Sequence, residues 1–450
     1  MLKRKIYSEL LKWKNQSNGT SAAMIEGARR TGKSFIAELF AKQEYQSYVL
    51  IDFSKAPQQV KDWFELYMED IDTLLFNIKL HYNVKLVERH SVIIFDEVQD
   101  CPKARAGIKH LVKDGRFDYI ETGSLISIKR NVKNILIPSE EYLINILPMD
   151  FEEFLWATDN EMLMQYIKSC FEKRKPLGDF HRKAMDLFRQ YLIVGGMPQA
   201  VQVYVDTHDF DKVDLVKRQI LNLYRNDIRK YAEGLEMRVT SIFDALPGQL
   251  QKHEKKFRLT ALKAEARMRD YEDAFLWLDD AKIINCCYNS TEPNVGLRLN
   301  EERTTLKCYM GDTGLLISHT FNNKNIVDEA IYQKLMFQKL EINEGMLIEN
   351  IVAQMLTASG HKLFFFSKYD EKSAENRMEI DFLIQKASIT SRHNISPLEV
   401  KSTNRYTTTS LLKLRQKYGQ YLSTPFVLHT ADLKEDNGIV YLPIYMTGLL

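Results

Sequence analysis

The chain lacks a long apolar run. None of its 450 residues begin a stretch near the ~20 apolar positions that a membrane-spanning helix needs, so a membrane protein is not expected. The opening "MLKRKIYSELLKWK" has no continuous apolar core of a secretory signal. Leu2, Ile6, Leu10 and Trp13 fall instead on one face of an amphipathic helix. Cysteine is sparse: Cys101, Cys170, Cys286, Cys287 and Cys308 make no CxxC pair and no Cys/His spacing of a zinc site. Their odd number argues against a disulfide framework and fits reduced thiols, so a cytoplasmic location is expected. Net charge is nearly absent, at +2. That surplus neither demands nor excludes nucleic acid, because a local basic face hides easily in a balanced total. There is no internal repeat and no low-complexity tract.

What is present is an ordinary folded composition, 45% hydrophobic and 27% charged. At roughly 150 residues per domain the length suggests about three domains. Up to residue 150, "SYVLIDFS", "HSVIIFDE" and "FDYIETGS" are apolar runs of strand length between helical stretches. Continuous apolar character predicts strands buried on both faces, as in a parallel α/β sheet. Residues 151–235 read as mostly helical, broken by "VGGMPQ". Residues 236–325 mix helices and short strands, and a second α/β pattern occupies 326–450.

"GARRTGKSF" carries the sharpest signal. Gly27 to Ser34 fit G-x-x-x-x-G-K-[ST], a loop whose backbone N–H groups curl around phosphates. Gly27, Thr31, Gly32, Lys33, Ser34 and Phe35 are the candidate nucleotide-binding residues. Lys33 would reach the β and γ phosphates and Ser34 would hold Mg²⁺. "AAMIEG" before the loop reads as a strand, and "SFIAELFAK" after it as a helix whose positive end faces the anion. Downstream, "SVIIFDEVQD" ends an apolar strand in Asp96 and Glu97. Asp96 would contact Mg²⁺, and Glu97 would polarise an attacking water. "YIETGSLIS" then places Thr122 and Ser124 where a polar side chain senses the γ-phosphate. The adjacent acidic pair suits water activation better than an acceptor hydroxyl, which disfavours a kinase. ATP and Mg²⁺ are the expected ligands.

"GARRTGKS", "FDEVQ", "TGS" and "LPMDFEEFL" resemble the bacterial and archaeal AAA-type ATPases that carry a C-terminal domain of unknown function. "YLIVGGMPQAV", "KCYMGDTGLL" and "IDFLI…PLEVK" extend the resemblance over nearly the whole chain. It implies an α/β protein: an N-terminal P-loop NTPase parallel sheet, a helical and winged-helix-like middle, and a C-terminal domain resembling a restriction-endonuclease fold. It also implies ATP hydrolysis with Lys33 and Glu97 in catalytic roles. The segment after "TGS" lacks the Gly-Arg of the family, leaving Arg130 and Arg225 as candidates for an arginine finger.

The middle and end point towards nucleic acid. A basic helix within "FRLTALKAEARM", a second helix and the strand "KIINCCY" suit a winged helix, with Lys263, Arg267 and Arg269 facing phosphates. Interleaved Glu265, Asp270 and Glu272 leave a protein–protein module equally open. In "PLEVKS", Glu399 and Lys401 project from one face of a strand while Leu398 and Val400 enter the core. With Glu349 on a helix and Asp381 on a neighbouring strand they match the E…D…ExK spacing of PD-(D/E)XK-type nucleases. Glu349, Asp381 and Glu399 are thus candidate ligands of a second Mg²⁺, and Lys401 a catalytic residue. DNA is the expected partner. A nucleotide-dependent switch or scaffold that binds a protein partner and cuts nothing stands as the alternative.

Overall fold

The computed structural model describes residues 2–124, 139–252, 256–294, 296–321, 344–369, 376–385, 394–403 and 405–450. They form two compact units: Lys3–Leu147 with Asp280–Lys282, and Pro148–Asp279 with Ile283–Leu450 and Met1–Leu2.

The first unit is built on β1 (Ala22–Glu26), β2 (Ser47–Asp52), β3 (Ser91–Asp96), β4 (Asp118–Gly123) and β5 (Glu141–Asn145). They lie in the order β2-β3-β4-β1-β5, and every pairing is parallel. β1, β3 and β4 are buried along their whole length, as continuous apolar runs require. Side chains alternate between the two faces of the sheet. Met24, Phe95 and Tyr119 pack with Trp63 and Phe64 of helix Gln58–Leu66 and Leu111 of helix Pro102–Asp114. Ile25, Ile94 and Ile120 pack on the other face with Leu10 and Trp13 of helix Ile6–Ser17 and Phe40 of helix Lys33–Glu44. Parallel strands bring their C-terminal ends to one edge. Because β4 lies between β3 and β1, the loops leaving all three open side by side there, where α/β sheets bind ligands.

The second unit begins with helices. Asp150 opens helix Phe151–Ala157 with a capping box: its carboxylate accepts from Glu153 N–H at 2.9 Å, and Glu153 accepts from Asp150 N–H at 3.1 Å. The "VGGMPQ" break ends helix Phe180–Val194 at Gly195, φ +81. A Cβ on Gly196 would stand 2.1 Å from the Met149 carbonyl oxygen. Asp312 accepts from Gly196 N–H at 2.6 Å and from Leu315 N–H at 2.9 Å, capping helix Thr313–Thr320. The "GGMPQ" and "GDTGLL" stretches therefore meet at a backbone junction.

Eight strands complete this unit: β6 (Ile284–Ser290), β7 (Glu301–Met310), β8 (Phe364–Lys368), β9 (Met378–Gln385), β10 (Ile395–Val400), β11 (Phe426–His429), β12 (Lys434–Asp436) and β13 (Ile439–Pro443). Their order is β12-β13-β11-β10-β9-β8-β6-β7. The structure differs here from the sequence expectation. β6 and β7 form a hairpin, but β6 pairs in parallel with β8, so residues on both sides of 325 share one sheet. The anticipated basic helix is absent: Leu259–Ala261 make a single 3-10 turn, and helix begins at Met268. Lys263 and Arg267 lie exposed before it, and Arg269 stands 3.8 Å from Asp270. Glu399, not Val400, is the more deeply buried of the two at the end of β10, where its carboxylate accepts from the Leu411 N–H at the start of helix Thr409–Tyr418.

Candidate functional site

The loop from β1 to helix Lys33–Glu44 is shaped by its glycines. Gly32 takes φ +93 and ψ +24, a left-handed conformation that favours glycine. A Cβ on Gly27 would sit 2.1 Å from the Ile146 carbonyl oxygen, so no side chain fits there. Buried Thr31 donates its hydroxyl to the Ala28 carbonyl at 2.8 Å. Arg4 donates to the Thr31 carbonyl at 3.0 Å and to the Leu147 carbonyl at 2.7 Å, tying the loop down. Lys33, 5% exposed, donates its ammonium to the carbonyls of Gly27 at 3.1 Å and Ala28 at 3.0 Å. These neutral carbonyls solvate the ammonium.

The ends of β3 and β4 meet this loop. Asp96 accepts hydrogen bonds from the hydroxyls of Ser34 and Thr122. Burial raises its carboxyl above the ordinary range, and the two hydroxyls oppose that rise. Such a carboxylate, beside the Ser34 hydroxyl, fits a hard oxygen-seeking cation such as Mg²⁺. Glu97 sits in the left-handed region at φ +52; its N–H donates to Thr122 Oγ1 at 3.3 Å, and its carboxylate accepts from the Gln99 amide. Ser124 follows β4, half-buried, at the same edge. Phe35 points outward from the first helical turn, 57% exposed. Arg130 lies outside the described residues. Arg225 is engaged by Asp244 at 3.1 Å and by the Phe243 ring, 5.4 Å from its centroid.

In the second unit a cavity of about 660 Å³ is lined by Glu349, Asp381, Glu399 and Lys401. The four residues read from the sequence do line one space. Their expected divalent ion is another matter. Among the described residues no three acidic, His or Cys side chains are grouped to hold a metal. Lys307 of β7 stands among these carboxylates. Its buried ammonium lies 3.1 Å from Glu379, 3.4 Å from Glu349 and 3.6 Å from Asp381. Burial alone would lower its pKa, but the three carboxylates outweigh that and raise it. The carboxylates have further partners. Tyr309 donates to Glu349 at 2.6 Å, and Val400 N–H donates to Asp381 at 2.8 Å. Glu399 accepts from Leu411 N–H at 3.0 Å and pairs with Lys401 at 2.8 Å.

Sequence reasoning missed Arg4, Gln99, Lys307, Tyr309 and Glu379. Lys307 left one signal, a lone cation in the apolar run "LKCYM" that half a buried strand would bury.

Loop, strand order and the Asp96 edge fit an N-terminal P-loop NTPase α/β fold. The comparisons give the particulars. Residues 20–155 match the family model described as AAA domain. Residues 185–325 and 344–446 match two domains of unknown function, DUF8612 and DUF4143. No curated protein matches the chain. Among solved structures it is similar to the Walker-type ATPase PABY2304 of Pyrococcus abyssi, at 14% identity and TM-score 0.41, over 71% of this chain and 96% of that one. It is also similar to Cdc6p from Pyrobaculum aerophilum, at 13% identity and TM-score 0.26, over 75% of this chain and 94% of that one. No helix among the described residues is long and apolar enough to cross a membrane.

Proposed function

We propose that the chain is a Mg²⁺-dependent ATPase whose second unit binds nucleic acid in the cavity around Lys401. The observation that carries the first half is the meeting of Lys33, Ser34, Asp96 and Thr122 at one sheet edge. Lys33 exchanges its carbonyl partners for the β and γ phosphates of ATP. Ser34 and Asp96 would hold Mg²⁺, which would supply charge neutralisation at the phosphates. Glu97 accepts a proton from water as its oxygen attacks the γ-phosphorus, and ADP leaves with the bridging oxygen. Thr122 ties both residues of the pair together, through the carboxylate of Asp96 and the backbone N–H of Glu97. ATP binding tests this half. Lys33→Ala should lose affinity while keeping its fold, because a charge-assisted contact goes. Equal affinity in a folded variant would sink it.

The second half rests on the cavity's walls. Lys256, Lys368, Arg377 and Lys401 line it, and the exposed Tyr369 stands at its edge with the Arg377 guanidinium 5.1 Å from its ring centroid. Cations beside an open aromatic face suit a backbone phosphate and a stacked base. Affinity should fall steeply with salt. A stable protein partner with no nucleic-acid affinity would favour a nucleotide-dependent switch instead. The neutralised carboxylates favour binding over cleavage.

A further inference from the structure

We propose that Lys307 is a built-in cation of the C-terminal cavity, and that the cavity engages a nucleic-acid phosphodiester without a divalent metal. The nucleic-acid part rests on the reading given above; the Lys307 part stands on its own geometry. Three observations carry it.

The first is position. Lys307 enters from β7, while Glu349 comes from helix Glu344–Ala358 and Glu379 and Asp381 from β9. One ammonium lies within 3.6 Å of all three carboxylates. A divalent ion would have to occupy the same ground, and two cations a few ångströms apart repel strongly in a buried site. The second is burial. The Lys307 side chain is 0% exposed, and the Phe365 ring lies 5.1 Å from its ammonium. Swinging it into solvent to admit a metal would strip a buried charge of its partners. The third is the occupation of the remaining carboxylate. Glu399 spends one oxygen on Leu411 N–H and the other on Lys401. Asp381 spends Oδ1 on Lys307 and Oδ2 on Val400 N–H.

The consequence is a division of labour among the cations. Lys307 neutralises the floor of the cavity. Lys256, Lys368 and Arg377 add positive charge along the wall of the same cavity. Without Lys307 the floor would carry uncompensated negative charge, which both attracts metal and repels a phosphodiester.

The experiment uses the full-length, nucleotide-free chain. Mn²⁺ binding is read by electron paramagnetic resonance, and binding of a labelled single-stranded oligonucleotide by anisotropy in EDTA and in Mg²⁺. Wild type should show no Mn²⁺ that Asp381→Asn removes, and oligonucleotide affinity in EDTA no lower than in Mg²⁺. Lys307→Met should gain Mn²⁺ affinity by about tenfold or more, since a cation a few ångströms from the site is gone. Lys307→Arg should stay metal-free and guards against a misfolded Met variant. Mn²⁺ bound by wild type and lost in Asp381→Asn would overturn the proposal, as would oligonucleotide binding that EDTA abolishes. Absence of oligonucleotide binding in every buffer would remove the phosphodiester half together with the nucleic-acid reading; the Mn²⁺ result would still decide the role of Lys307.

Discussion

The phosphate loop and the C-terminal cavity each bury a lysine, in opposite company. Lys33 is bonded to two neutral carbonyls of its own loop, whereas Lys307 stands among three carboxylates. In the first site neutral oxygens of the loop solvate the ammonium. In the second the charge is matched within the fold, so the lysine serves the structure before any ligand. Burial of an ion costs several kcal/mol unless partners offset it. A buried cation ringed by carboxylates therefore points to internal compensation.

Exchange of the two lysines for neutral residues should break this contrast most visibly. Lys307→Ala strands the buried Glu349 carboxylate beside the partly exposed Asp381 and should destabilise the second unit, read as a lowered melting transition. Lys33→Ala should leave melting nearly unchanged and remove ATP binding. A Lys307→Ala protein that melts like wild type would mean its carboxylates find water instead.

Next in size is Asp312, which accepts from two backbone N–H groups and, at 3.4 Å, from the Gln354 amide. Asp312→Ala leaves the Gly196 and Leu315 N–H groups without that acceptor, at about 1–3 kcal/mol for each buried donor. ATP turnover per folded molecule should not change. A turnover defect at unchanged stability would reassign the junction to function.

The Gln99 amide holds the carboxylate of Glu97. Gln99→Ala should alter kcat by about threefold to tenfold through general-base positioning, with KM for ATP unmoved. A change in KM alone would place Gln99 in binding instead.

The smallest effect concerns pH. His429 contacts the Tyr406 hydroxyl at 3.1 Å and the Asp432 carbonyl at 3.2 Å, and burial pushes it down from 6.5 to about 4. The unfolded chain therefore takes up the proton first as pH falls. Stability from this group is complete above pH 6.5 and is lost progressively towards pH 4. His429→Gln should flatten that part of the melting profile. An unchanged slope would assign the acid sensitivity to the carboxylates.

The two regions were also unequally legible. The loop is contiguous: glycine geometry, lysine, serine and the following helix lie within a few positions, and the Asp96–Glu97 pair ends an apolar strand in plain view. The cavity floor joins Lys307 to Glu349 and Asp381 across long stretches of chain, through β7, a helix and β9. Strand alternation placed Glu399 and Lys401 on one face, yet no local pattern reveals that β7 joins the same sheet. The basic helix failed for a related reason. Its lysines and arginines alternate with acids and lack an apolar stripe, so tertiary packing had nothing to hold.

Turnover by Glu97→Gln tests the ATPase account most directly. The substitution keeps the side chain's shape and removes its charge. In single-turnover assays with saturating Mg·ATP, the variant should bind nucleotide like wild type and hydrolyse it more slowly by about 10²-fold or more. Hydrolysis at the wild-type rate, with binding intact, would contradict the assignment of Glu97 as the group that takes the proton from water.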